Sequence, residues 1–135
     1  MCLMVYLAGT RFLPWRQTVI EECVDCQIHF LSPLPNKETN KTFHIEDMLK
    51  IESAQIVFAY FQDESDGLFS GTSLEVGYAL GKGKIVMAVC DMDSGRMLNY
   101  DLVLKSANAV YPTLSDGIDG LRHIALSMIY KPKED

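Results

Sequence analysis

Gln55-Ile-Val-Phe-Ala-Tyr-Phe61 is the stretch on which the fold turns. From Ile56 to Phe61 no position is charged. A strand apolar at alternate positions covers one face; one that is apolar throughout is covered on both, as in the centre of a parallel sheet. Upstream, Phe43 to Ser53 reads as a helix, with Ile45, Met48 and Leu49 toward the core and Glu52 on the outer side. Downstream come an acidic, Gly-containing loop over 62–71, a helix from Thr72 to Gly81 and a strand over Ile85–Val89. Nearer the start, Met4–Ala8 is an apolar run stopped by Gly9, and Pro14 opens a helix to Cys23 on which Trp15, Val19, Ile20 and Cys23 recur at helical spacing. Gln27–Leu31 is a second strand, followed by a polar, Pro-containing loop over 32–42. A helix near Gly95–Ser106, a short strand Ala109–Tyr111 and a helix Ser115–Tyr130 complete the chain, the last with Ile118, Leu121, Ile124, Ala125 and Met128 inward.

Strand and helix thus alternate with mostly short connections. This pattern predicts an α/β, flavodoxin-like or Rossmann-like three-layer sandwich around a five-stranded parallel sheet of order 2-1-3-4-5. In such sheets ligands bind beyond the carboxyl ends of the strands, where the strand order reverses. That switch lies between strands 1 and 3. It predicts a site built from Gly9, Thr10 and Arg11 on one side and residues 63–72 on the other.

A length of 135 residues suits one domain, expected over 1–130 with a polar tail at 131–135. With 48% hydrophobic and 22% charged residues the composition is that of an ordinary globular protein. Twelve Lys+Arg against 18 Asp+Glu leave a net charge of −6, which argues against a nucleic-acid polymer or an anionic membrane as partner. No apolar run reaches the ~18 residues of a membrane span. Met1-Cys-Leu-Met-Val-Tyr6 carries no basic leader, so a cytoplasmic location is expected. Cys2, Cys23, Cys26 and Cys90 are then expected to be reduced. The CxxC at 23–26 ends a helix rather than opening one and has no second ligand pair, so buried or incidental thiols are expected. His29, His44 and His123 show no metal-ligand spacing, and no metal or cofactor is expected.

The densest signal is Ser70-Gly-Thr-Ser-Leu-Glu-Val-Gly-Tyr-Ala-Leu-Gly-Lys82; five of the nine glycines fall between 67 and 83. It is neither GxGxxG nor GxxxxGK[ST], which disfavours those two modes of nucleotide binding. Thr72-x-x-Glu75 has two readings. As a capping box, Glu75 would reach back to the cap amide. As a functional group, a carboxylate in the first helical turn would be kept anionic by the dipole, as a nucleophile requires. Leu74, Val76 and Ala79 would then form a partly dry pocket, and Gly71 and Gly77 would admit a ligand or a strand. Asp47 is either an exposed helix residue or a second acid at the cleft mouth. Paired carboxylates with separate roles are what glycosidic-bond cleavage uses. Asp63 and Asp66 read mostly as solvated loop. Arg11, Arg16 and Arg96 read as ordinary surface pairs, with phosphate binding the alternative.

These residues resemble the nucleoside 2-deoxyribosyltransferase family, in its compact branch, from Val5-Tyr-Leu-Ala-Gly9 to about Ala109. The most specific piece is Gly71-Thr-Ser-Leu-Glu-Val-Gly-Tyr-Ala79, with Lys84-Ile-Val-Met opening the next strand. The resemblance implies that Glu75 is the nucleophile, that Asp47 is the catalytic Asp, and that the Tyr6 hydroxyl, at the end of the first strand, approaches the nucleophile. It places Gly9, Thr10, Gly71 and Thr72 at the substrate. The family's base-contacting Asp lies six residues before the nucleophile, where this chain has Phe69; Asp66 matches if the loop carries a three-residue insertion. The family also completes each site with an Asn from a neighbouring subunit, which Asn99 matches. Related nucleoside-monophosphate N-hydrolases carry a Ser there to meet the 5′-phosphate, so Asn99 points to a free 5′-hydroxyl. The implied protein is a homodimer or larger. It transfers deoxyribose from a 2′-deoxynucleoside to a free nucleobase. An N-glycoside hydrolase acting on a nucleoside or a nucleoside 5′-monophosphate, and a catalytically silent nucleotide-binding module, are the other readings.

Overall fold

The computed structural model describes residues 2–9, 14–33, 43–62, 70–93, 95 and 100–129. Strands β1 (Leu3–Gly9), β2 (Ile28–Leu31), β3 (Ile56–Gln62), β4 (Ile85–Asp91) and β5 (Ala109–Tyr111) alternate with helices α1 (Trp15–Glu22), α2 (Phe43–Ser53), α3 (Ser70–Gly81), α4 (Asp101–Ser106) and α5 (Leu114–Ile129). Every strand pair is parallel and the order is β2-β1-β3-β4-β5. All seven residues of β3 are buried, as a strand apolar on both faces requires. The loop expected over 62–71 is shorter at both ends among the described residues: Gln62 closes β3, and Ser70 and Gly71 already belong to α3. In the fourth connection, helix is described at Gly95 and over Asp101–Ser106; 96–99 lie outside the described residues.

Side chains alternate across the sheet and divide the core in two. Val5, Leu7, Ile56, Phe58, Tyr60, Met87 and Val89 pack against Trp15 and Val19 of α1 and Ile118, Leu121 and Ala125 of α5. Met128, expected inside, is 47% exposed, near the end of α5. On this face Gly117 is obligatory: a Cβ there would collide with Val89 Cγ2 and lie 3.1 Å from Phe58 Cζ. The other face carries Tyr6, Ala8, Val57, Ala59, Phe61, Val86, Ala88 and Cys90 against Ile51 of α2, Val76 and Ala79 of α3 and Leu104 of α4.

The register on that second face sets how closely a helix can approach the sheet. Ala8 pairs with Ala59 and Ala59 with Ala88, so three alanines run side by side across the central strands. A row of such small side chains leaves a shallow trough, into which α3 settles through Val76 and Ala79. Gln55 fixes the register from below: its Oε1 accepts from Met4 N (2.7 Å) and its own N–H donates to Met4 O (2.9 Å).

At the upper end of β1, Gly9 has φ +154°, and a Cβ would lie 2.7 Å from Trp15 Cζ2 and 2.9 Å from the Tyr60 carbonyl. Only glycine lets the strand end this close to the first turn of α1. Trp15 stacks on Phe58 (centroids 6.4 Å) and meets Tyr60 edge-on (5.2 Å), which fixes where α1 begins.

Candidate active site

At the switch between β1 and β3, three side chains from three elements converge: Tyr6 from β1, Asp47 from α2 and Glu75 from α3. Tyr6 is fully buried and lies in the middle of β1 rather than at its end. Asp47 is 4% exposed. This shifts the face expected for α2: Met48 packs against the core as expected, but two of its apolar neighbours do not. Ile45 and Leu49 are 62% and 57% exposed, while Asp47 and Ile51 point inward. Apolar counting selects Ile45 and Leu49, but the helix is rotated to bury its acid.

Two ties hold α2 in this rotation. Glu52, on the outer side as expected, accepts a hydrogen bond from the Tyr78 hydroxyl and pairs with Lys82 (3.2 Å). The Glu52 carbonyl accepts from Lys84 Nζ (2.8 Å). The Tyr78 hydrogen bond, with Lys82 beside it, keeps the Glu52 carboxyl below its usual range. These contacts clamp the end of α2 onto α3, and Asp47 and Glu75 lie one to two turns earlier on their respective helices. Lys50 Nζ donates to Ser32 O (2.8 Å) and ties the other flank of α2 to the segment after β2.

Glu75 is the sixth residue of α3, which starts at Ser70. It is therefore in the second turn, and the capping-box reading fails: Thr72 lies inside the helix, 6% exposed, and no acid occupies the first turn. The dipole argument fails with it, since the effect is confined to the first turn. Burial governs Glu75 instead. Its carboxyl is pushed up from 4.5 to about 7, first by desolvation and then by the nearby Asp47, while Tyr6 and Arg16 act to lower it. Val76 and Ala79 are buried around it as expected, but Leu74 is 62% exposed. A Cβ built on Gly71 or Gly77 would meet nothing within 4 Å among the described residues outside its own stretch of helix.

The phenol of Tyr6 is held far above its ordinary range, by burial first and then by the Glu75 carboxylate. The two groups are near enough to act on one another, the phenol favouring the Glu75 anion. Tyr6 Oη and Glu75 Oε2 are both sealed from solvent, and neither has a well-formed hydrogen-bond partner among the described residues. Each such group costs about 1–3 kcal/mol if left unpaired, and clusters of them mark sites rather than cores.

Two further residues join this edge that sequence reasoning did not place there. Arg16, expected to make ordinary surface pairs, instead donates from Nε to the Leu7 carbonyl (3.2 Å) and from Nη2 to the Gly9 carbonyl (3.0 Å). Its position directly after Trp15, one loop beyond Gly9, was the available signal. Gln62, the last residue of β3, is 4% exposed and its Nε2 has no partner among the described residues. Gly9 lines the same edge. Thr10, Asp66 and Asn99 lie outside the described residues, as do Arg11 and Arg96. Among the described residues no group of three His, Cys, Asp or Glu side chains is placed to hold a metal, and no helix is long and apolar enough to cross a membrane. Cys23 and Cys26 are buried free thiols, as is Cys90, whereas Cys2 is exposed. Burial raises the Cys23 thiol to about 12.

A buried acid and a half-buried one beside a phenol at the switch point of a parallel sheet narrow the possibilities, and sequence comparison narrows them further. The sequence profile of the nucleoside 2-deoxyribosyltransferase family matches residues 5–112. The chain belongs to the nucleoside 2-deoxyribosyltransferase family. Members of this family act on nucleosides or nucleotides at the N-glycosidic bond. No curated protein sequence matches the chain. Among solved structures, the fold is similar to that of a CMP N-glycosidase, BcmB, from Clostridium botulinum. The TM-score is 0.63 at 13% identity, over 90% of this chain and 98% of that one.

The elevated Glu75 carboxyl ties stability to pH. A group whose folded pKa exceeds its unfolded value stabilises the fold below the unfolded value and loses that contribution as pH rises through the folded one. The window here runs from 4.5 to about 7. Wild-type protein should lose roughly 2–3 kcal/mol from this source between pH 4 and 8. Glu75→Gln should not, and should be the more stable protein at pH 8. Urea unfolding of both at the two pH values checks this; parallel pH dependences would contradict it.

Proposed function

We propose that this protein is a nucleoside 2-deoxyribosyltransferase in which Glu75 is the nucleophile. The observation that carries the reading is Glu75 itself: a family-matched carboxyl on a half-buried residue, its Oε2 closed off from solvent, set beside Tyr6 and Asp47. In the first displacement a Glu75 carboxylate oxygen bonds to C1′ of a 2′-deoxynucleoside as the C1′–N bond breaks. The departing base takes the bonding electron pair and a proton at its ring nitrogen. The transition state is oxocarbenium-like, and an anion in a dry pocket stabilises it more than one in water would. The product is a glycosyl ester of Glu75. A ring nitrogen of the second base then attacks C1′, releasing the carboxylate, and two inversions give net retention. Asp47 handles the proton of the leaving and entering base or orients the sugar. Tyr6 positions the nucleophile, and substrate hydroxyls hydrogen-bond to Tyr6 Oη and Glu75 Oε2, for which the described residues offer no well-formed partner. Gly9, Thr10, Gly71 and Thr72 border the substrate, with Asp66 toward the base.

Asn99 from a second copy would complete the site, which makes the active form a homodimer or larger. Ile45, Leu49 and Leu74 support this: three large apolar side chains stand exposed on the two helices that carry the acids. Hydrolysis is the second reading, with water as acceptor in place of the base, and the fold likeness to an N-glycosidase favours keeping it.

Incubation of a 2′-deoxynucleoside with a foreign free base, followed by chromatography, should give the exchanged nucleoside. Release of free base alone would favour hydrolysis, and no reaction over a panel of bases would count against both. Glu75→Gln should lower the rate on the order of 10³-fold or more, and Asp47→Asn about 10²–10⁴-fold. Because the nucleophile must be ionised, kcat/KM should rise with pH through a midpoint near 7, the value set by burial of Glu75. A flat profile from pH 5.5 to 8 would contradict Glu75 as the reacting group. Sedimentation should show a dimer or larger, and Leu74→Glu should shift it to single chains with loss of exchange; a fully active single chain would contradict the shared site.

A further inference from the structure

The proposed reaction leaves one buried polar side chain at the switch without a part. β1 ends at Gly9, which pairs with Tyr60, whereas β3 runs on to Gln62. Gln62 therefore overhangs the end of β1 by two residues, about 7 Å along the strand. It walls the crevice in which ligands of such sheets lie. The residue is 4% exposed, and its Nε2 is closed off from solvent with no hydrogen-bond partner among the described residues. A carboxamide brings two N–H donors. Buried without an acceptor, they cost free energy that an apolar side chain of the same size would not. The fold by itself gains nothing from glutamine here, and such a group marks a place where a ligand completes the bonding.

The face on which Gln62 stands selects the part of the ligand it meets. Side chains alternate along β3, so Gln62 shares the face of Phe58 and Tyr60, on which Trp15 packs. Tyr6 stands on the opposite face, with Ala59, Phe61 and the inner residues of α2 and α3. A nucleoside lying across the switch with its sugar at the acids thus turns its base toward the face of Trp15 and Gln62. Every nucleobase offers ring-nitrogen or carbonyl acceptors along its edges, which are the partners an N–H donor needs. We propose that Gln62 is a substrate-binding residue that reads the nucleobase. Its carboxamide donates to an acceptor on the base while Tyr6, Asp47 and Glu75 hold the sugar from the other face. The choice of the base rests on the glycosyl-transfer reading, which puts the sugar at the acids; that the carboxamide meets a ligand does not.

The test is nitrogen-15 NMR of the Gln62 side-chain amide, assigned by its loss in Gln62→Met and again in Gln62→Leu. It is run in a Glu75→Ala background, which stops turnover and adds no amide signal of its own, against 2′-deoxycytidine, 2′-deoxyadenosine and 2-deoxyribose. Both nucleosides should shift the amide signal saturably, and 2-deoxyribose should not. In base exchange by otherwise wild-type protein, Gln62→Met should lower kcat/KM about 10-fold or more. Its melting temperature should not fall, because methionine fills the space without a buried unpaired donor. A glutamine that served only the fold would show the reverse, a lower melting temperature with unchanged exchange. An amide signal that ignores the nucleosides, or follows 2-deoxyribose as strongly, overturns the proposal. So does wild-type exchange in whichever of Gln62→Met and Gln62→Leu folds, and the glycosyl-transfer reading then stands without it. If the nucleosides shift the amide but wild type neither exchanges nor hydrolyses them, the glycosyl-transfer reading fails and Gln62 still stands as the residue that meets the base.

Discussion

The close seating of α3 on the sheet is the constraint on which the rest of the site depends. Ala8, Ala59 and Ala88 lie in register across the three central strands and leave room for Val76 and Ala79. A helix held this near the sheet carries the polar side chain beside Val76 down with it. Glu75 is thereby taken out of water and set against Tyr6, which rises from the same face of β1 as Ala8. Larger side chains in the alanine row would lift α3 and return Glu75 toward solvent, where its ionisation would be ordinary. The packing of the sheet and the electrostatics of the pocket are one arrangement.

The charge state of the pocket reflects a balance of opposed effects. Desolvation and Asp47 favour the protonated form of Glu75; Tyr6 and Arg16 favour the anion, and the result lies at about 7. A carboxyl at that level is protonated or ionised at little cost near neutral pH, which suits a group that must attack, form an ester and leave as an anion. The clamp of Glu52, Tyr78 and the two lysines on the far side of α2 serves the same end by fixing the rotation that turns Asp47 inward.

Much of the fold was legible because its signals are local. The continuous apolar run of β3, Pro14 ahead of α1 and the alternation of strand with helix each depend on a few neighbouring residues. The five-stranded parallel order agrees with that reading. The errors came where tertiary contacts override the local pattern. Ile45 and Leu49 outnumber Asp47 in any count of apolar residues, yet the acid is buried and they are exposed. Thr72-x-x-Glu75 matches a cap by spacing, yet α3 begins two residues earlier. The placement of Arg16 depends on carbonyls at the end of β1, which no helical periodicity could signal. Glu75, Asp47 and Tyr6 were singled out by sequence, but their convergence became visible only once the trough of alanines set the depth of α3.

The central claim is that Glu75 bonds to the sugar, and trapping that bond tests it most directly. A 2′-fluoro-2′-deoxynucleoside carries an electron-withdrawing group beside C1′, which destabilises the oxocarbenium-like transition states and slows breakdown of the ester. Intact-mass analysis followed by peptide mapping should show one fluorinated sugar per chain, on Glu75, and none in Glu75→Gln. An enzyme that turns over deoxynucleosides yet forms no adduct, or forms it on Asp47, would contradict the assignment.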